Sequence, residues 1–197
     1  MGIFRKLSQV PKRIGDTLAP AETQHKIFYK ITGVGHWFTF TLQPPKFWRD
    51  GVAGQSSRES SASFASELLR DTVFCCLNSS LHYWIYQSLT NCRDFNPSDL
   101  RYLPLTDSLA SGVKDCASLS SRLMKRLEET ADIGSGNYEV GGAVKYQKFK
   151  PKTGKPIVDE IDALLAKHYG FTAEELDFIV NYDIKYRLGA EEEESDE

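Results

Sequence analysis

The chain has 197 residues, 41% hydrophobic and 12% aromatic, enough to bury one good core and too few for several large domains. Its formal charge of −3 is set by the terminal run Glu191, Glu192, Glu193, Glu194, Asp196 and Glu197; setting those six of the 27 acidic residues aside leaves 21 against 24 basic, a mildly basic body that permits an anionic partner. No window approaches the roughly 18 apolar residues of a membrane span, and four cysteines without CxxC spacing suit packed thiols in a reducing cytoplasm better than zinc or disulfides, so a cytoplasmic protein making no membrane contact is expected.

In chain order, residues 1 to 25 mix Arg5, Lys6, Lys12 and Arg13 with Ile3, Phe4, Leu7 and Ile14 around Pro11, and predict a loosely ordered basic arm. Alternation over 27 to 31 and again over 38 to 42, with Gly33-Val34-Gly35 between, predicts a β-hairpin. Residues 46 to 63 then form a hydrophilic stretch in which short hydroxyls, an amide and arginines are chemically able to reach phosphates or base edges: Arg49, Gln55, Ser57 and Arg58 are the candidates there.

Residues 64 to 90 are apolar and helical, interrupted at Asn78-Ser79-Ser80, whose side chains can cap a second helix carrying Leu81, Trp84 and Ile85. The connector 91 to 105 contains Arg93 and Asn96; the asparagine can read adenine or cap a turn before Pro97. Leu109, Val113, Cys116, Ser120, Leu123 and Leu127 set a near-heptad stripe for one long helix over 107 to 130. Glycines break the pattern over 134 to 155, where Lys145, Lys148 and neighbouring lysines interleave with Tyr146 and Phe149, as a phosphate rail or a solvated β-ribbon would. Pro156, the spaced Ile157, Ile161, Leu164, Leu165 and Tyr169, the stop at Gly170 and the Thr172 to Glu175 capping box predict two short helices meeting at a corner. The fold class expected is α+β: small hairpin or sheet elements with packed helices, ending in a two-helix C-terminal hairpin.

That terminal stretch, KPIVDEIDALLAKHYGFTAEELDFIVNYDIKYRLG, with IFYKITGVGHWFTFT at 27 to 41 and CLNSSLHYWIYQSLTNCRDFNPSDLRYLPL at 76 to 105, resembles the C-terminal TaqI-like specificity region of type II and type IIG restriction-modification adenine-specific DNA methyltransferases of bacteria. The resemblance implies a target-recognition domain over 26 to 189, divisible near 106 or 134, between a basic arm at 1 to 25 and a disordered acidic tail at 190 to 197. It implies double-stranded DNA as one partner and a methyltransferase catalytic domain or subunit as the other.

Catalysis is not expected of this chain alone. The glycine-rich turn for S-adenosylmethionine and the Asn-Pro-Pro-aromatic loop are absent, Asn96-Pro97-Ser98-Asp99 and Gln43-Pro44-Pro45-Lys46 being the nearest lookalikes. No cofactor is expected here, and S-adenosylmethionine is expected on the partner catalytic domain. No catalytic residue and no metal ligand is assigned; the DNA-binding candidates are Arg49, Gln55, Ser57, Arg58, Arg93, Asn96, Lys145 and Lys148. The alternatives are an assembly subunit that touches no DNA and an inactive remnant of a split restriction-modification gene.

Overall fold

The computed structural model describes residues 2–32, 37–90, 92–138 and 142–188. It is an α+β fold: helices enclose the core and two small antiparallel sheets lie on it. The elements are α1 (Gly2–Ser8), β1 (Lys26–Lys30), β2 (Phe47–Arg49), β3 (Val52–Gly54), β4 (Glu59–Ser63), α2 (Glu67–Leu77), α3 (Ser80–Leu89), α4 (Asp107–Ala110), α5 (Lys114–Glu129), β5 (Asp132–Tyr138), β6 (Gly142–Lys148), α6 (Lys155–Tyr169), α7 (Ala173–Asn181) and α8 (Ile184–Leu188).

Local chemistry explains the helix boundaries. Ser66 and Ser79 cap α2 and α3 by accepting from the backbone N–H of Leu69 and His82, which satisfies donors the first turn leaves orphaned. The C-terminal pair is as the spacing predicts: α6 ends on Gly170 in the left-handed region (φ 65°), and Thr172 and Glu175 form the reciprocal capping box of α7. The helix expected over 107 to 130 is instead two helices. Gly112 lies between them at φ 87°, where a Cβ would come within 2.8 Å of Leu68, and the Val113 N–H donates to Thr72 Oγ1 at 2.8 Å, so the chain bends to let α5 pack on α2 and α6.

The hairpin expected over 27 to 42 does not form. β1 pairs with β4, Ile27 opposite Ala62 and Lys30 opposite Glu59, while 38 to 42 meets β1 only at the Phe28 to Thr41 bridge. Asn78 holds the backbone of the neighbouring Phe40: its Oδ1 accepts from the Phe40 N–H at 3.1 Å and its Nδ2 donates to the Phe40 carbonyl at 3.3 Å. The intended turn, Gly33-Val34-Gly35, lies outside the described residues, as does the acidic tail. The stretch read as a hydrophilic loop at 46 to 63 supplies three strands, and the segment read as a loose basic arm contains α1, which buries Ile3 and Leu7; Ile14 is fully buried beyond it. Lys6 ties α1 to the far end of the chain through the Gly170 carbonyl at 2.6 Å and Glu175 at 2.5 Å.

At the centre is an aromatic cluster. Phe95 lies within 6 Å, centroid to centroid, of Tyr29, Phe38, Phe40, His82 and Tyr86. Beside it a buried polar node fastens α8. Arg187, 4% exposed, is sandwiched between the rings of Trp37 (4.0 Å) and Tyr83 (4.5 Å) and donates to Ser80 Oγ at 3.2 Å. Asp162 accepts from the Ser80 N–H at 2.9 Å, and burial pushes its carboxyl up to about 7.

Candidate nucleic-acid interface

The residues with the chemistry to hold a nucleic acid are carried mainly by the four-stranded sheet, ordered β3-β2-β6-β5. Its first corner is Asp50-Gly51, with φ of 49° and 82°, the paired positive values of a two-residue hairpin turn. Asp50 braces the neighbouring strand, its N–H donating to the Ala143 carbonyl at 2.8 Å and its Oδ1 accepting from the Ala143 N–H at 3.0 Å. At the other end Tyr146 lies over Gly134, directly opposite it in register; a Cβ on that glycine would come within 2.7 Å of the ring.

Register assigns each side chain to a face, because directly opposed residues point the same way. Trp48 lies opposite both Lys145 and Ala53, and Lys145 opposite Ser135, so these four share a face with Ile133, Asn137 and Ala143. This face is open: Lys145, Ala53, Ser135, Asn137 and Ala143 are exposed, and Ile133 is 56% exposed. Arg49, opposite Val144 and Val52, lies on the other face with Phe47, Tyr146 and Lys148, where Val144 is buried. Arg49 and Lys148 remain exposed there. The strands and flanking residues 44–55, 132–138 and 142–150 hold five basic residues (Lys46, Arg49, Lys145, Lys148, Lys150) against Asp50 and Asp132. Lys150 is paired with Asp132 at 2.5 Å, while Lys46, Arg49 and Lys145 enter no ion pair with any described residue.

A cavity of about 460 Å³ opens beside the open face. Trp48, Ala53 and Gln55 line it by strand alternation, and Phe28 of β1 and the Pro44-Pro45-Lys46 segment complete it. Gln55, Pro44 and Lys46 are exposed; Phe28 and Trp48 are half-buried.

The remaining candidates lie apart from that face. Ser57 and Arg58 precede β4, and Arg93 and Asn96 lie in the loop after α3. Both loops meet at Ile31, whose N–H donates to the Arg58 carbonyl at 2.8 Å and whose carbonyl accepts from the Phe95 N–H at 3.1 Å. Lys30, Arg58 and Arg93 therefore mark one end of the β1–β4 sheet. Glu59 sits among them with its carboxyl raised to about 7 by burial, a rise that Lys30 opposes from the paired position. Arg93 lies 3.9 Å from Asp94.

Asn96 performs turn chemistry. Its backbone and side-chain N–H groups both donate to Asp99 Oδ2, at 2.7 and 3.1 Å, at the rim of a second cavity of about 270 Å³ shared with His82, Tyr86, Thr90 and Tyr102. His82 Nδ1 donates to the Leu77 carbonyl at 2.7 Å, and desolvation lowers the ring to about 4, so the imidazole there is neutral.

The eight candidates are thus split. Lys145 and Gln55 share the open face, Arg49 and Lys148 the opposite one, and Ser57, Arg58, Arg93 and Asn96 lie in the loops at one end of the β1–β4 sheet. Sequence reasoning missed Phe28 and Trp48, whose alternation with neighbours looks the same whether a ring ends in the core or outside it. It also passed over the Asp50-Gly51 dipeptide, a strong hairpin signal. Among the described residues no group of three or more His, Cys, Asp or Glu side chains is placed to hold a metal, and no helix is long and apolar enough to cross a membrane. No protein-family model matches the chain, and neither a curated protein nor a solved structure matches it.

Proposed function

We propose that this chain is a sequence-specific duplex DNA-binding module, the target-recognition part of an adenine-specific DNA methyltransferase system whose catalytic domain, with its S-adenosylmethionine, lies outside the stretch described. The observation that carries the reading is the β5–β6 ribbon: about 24 Å long at strand rise, open on the face of Lys145 and joined through β2 to Lys46 and Arg49. Strands presented by a β-sheet are among the elements that proteins lay into a DNA groove. Its lysines suit phosphates, and Ser135, Asn137 and Gln55 supply short polar groups suited to base edges. The partner would then flip an adenine into its own pocket for methyl transfer.

The resemblance of 27 to 41, 76 to 105 and 155 to 189 to the specificity region supports the same reading. Those blocks build β1, α3 and α6–α8.

The test is selection from a randomised duplex pool at two salt concentrations, followed by sequencing of the retained DNA. Enrichment of a short motif, with binding that weakens at high salt, is the expected result. Salt-insensitive retention, or none, overturns it.

A second reading, a subunit that docks a larger enzyme and touches no DNA, draws on the helical side. There Phe4 (46% exposed) lies 4.4 Å from Trp84, and Trp84 lies 5.9 Å from Phe178 (48% exposed). Alanine at Lys46 and Lys145 separates the two: a DNA reader loses affinity with its fold intact, and a docking subunit keeps its partner.

A further inference from the structure

Large aromatic side chains contribute most when they pack against the core or against other rings, and most rings of this chain do so. Phe28, Phe47 and Trp48 are exceptions. Each is half-buried, yet none belongs to the core cluster or packs against its surface, and none makes a ring-to-ring contact with any described residue. All three border the 460 Å³ cavity, whose size falls within the range of small-ligand sites.

The polar groups at this cavity are arranged to one purpose. Lys46, Trp48 and Gln55 alternate onto the same side of the sheet as Lys145, which stands directly opposite Trp48 in the adjacent strand. The Lys46 backbone is held in place by Gln147, which accepts from its N–H at 3.1 Å and donates its own N–H to the Lys46 carbonyl at 2.8 Å. The Lys46 side chain enters no ion pair among the described residues. An aromatic face, a rigid proline wall, one amide and two cations in a short span match a base, its edge and the phosphates on either side of it. Sequence-tolerant single-strand binders combine the same parts, a cationic track with aromatic platforms.

We propose that the cavity bounded by Phe28, Trp48 and Pro44-Pro45 holds one unstacked nucleobase of a bound DNA strand, with Gln55 at its edge and Lys46 and Lys145 on the flanking phosphates. The inference rests on the DNA-binding reading above and extends it. The module takes hold of a displaced base as well as the duplex surface, so DNA with an unpaired position is held more tightly than a perfect duplex.

The probe is a 5′-dye-labelled duplex carrying one unpaired 2-aminopurine, compared with the fully paired duplex and with a version whose 2-aminopurine is replaced by an abasic site. Anisotropy reports binding, and 2-aminopurine fluorescence reports stacking on an indole. The expected result is tighter binding of the unpaired 2-aminopurine DNA than of the other two, with its fluorescence quenched on binding. Trp48→Leu weakens that preference about tenfold and relieves the quenching. Gln55→Ala, at an exposed position that leaves the fold unchanged, weakens it about threefold. Circular dichroism confirms that both variants are folded. DNA binding without quenching, or with equal affinity for the three duplexes, overturns the base site alone. No anisotropy change with any of them overturns the DNA-binding reading as well.

Discussion

Phe95 and Trp48 are both aromatic residues in short segments outside the helices, and they meet opposite fates. Phe95, 1% exposed, sits among five rings supplied by β1, α3 and the segment 38–40. Trp48 is half-buried on a three-residue strand and makes no ring-to-ring contact with any described residue. The cluster around Phe95 holds the helical side together, and the four-stranded sheet leaves Trp48 at its surface. A residue type says little until its surroundings are known; stability and recognition are divided by location.

The sharpest way to break this comparison is to truncate both rings. Phe95→Ala is expected to cost about 3–5 kcal/mol in urea unfolding, whereas Trp48→Leu costs no more than about 0.5 to 1 kcal/mol. Comparable losses at the two positions would mean that the sheet belongs to the core after all.

Next comes the polar node. Arg187→Ala removes a guanidinium held between Trp37 and Tyr83 and leaves Asp162 without its buried counter-charge, with an expected cost of about 3 kcal/mol by the same measurement.

A subtler effect is expected from pH. The carboxyl of Asp162 is raised to about 7 in the folded protein, against about 4 in an unfolded chain. Between those values the folded state binds the proton that the unfolded chain releases, so this group's contribution to stability falls as pH rises through the window and is constant above it. His82, lowered to about 4, contributes the opposite slope between about 4 and 6.5, so the difference between Asp162→Asn and the parent isolates the carboxyl. The variant is expected to gain stability relative to the parent between pH 5 and pH 8, read from urea midpoints. A constant difference would show that the carboxyl does not titrate there.

The smallest effect is at the surface. Lys145→Ala is expected to leave the unfolding midpoint unchanged and to reduce the slope of log affinity against log salt for DNA by about 1. An unchanged slope would remove Lys145 from the phosphates.

Much of the helical side was legible in the residues. Pro156, Gly170, Thr172 and Glu175 mark the ends of α6 and the start of α7, and Asn78-Ser79-Ser80 marks the break between α2 and α3. These are local signals, read from side chains that satisfy orphaned backbone groups nearby. The sheets were not legible for the converse reason. β4 is Glu-Ser-Ser-Ala-Ser, which carries no apolar alternation, and its partner lies 33 residues upstream at the Lys26 to Lys30 end. The bend at Gly112 depends on Leu68 approaching from another helix, which no periodicity over 107 to 130 reveals. The candidate site was half legible: charge and hydrogen-bonding capacity picked out Lys145 and Gln55, but only strand register puts Trp48 beside them.

The pairing of β2 with β6 has a kinetic consequence. Phe47 meets Tyr146 across about a hundred residues of intervening chain, which includes α2, α3, α4 and α5. Closing so long a loop before those helices have docked gains little and costs much entropy, so this pairing belongs to the last stage of folding. Amide hydrogen exchange should accordingly find the β2–β6 ladder opening well before α2 and α5. A nascent or damaged chain would then lack the sheet surface until its helical body is complete, which makes a finished core the condition for presenting that surface at all.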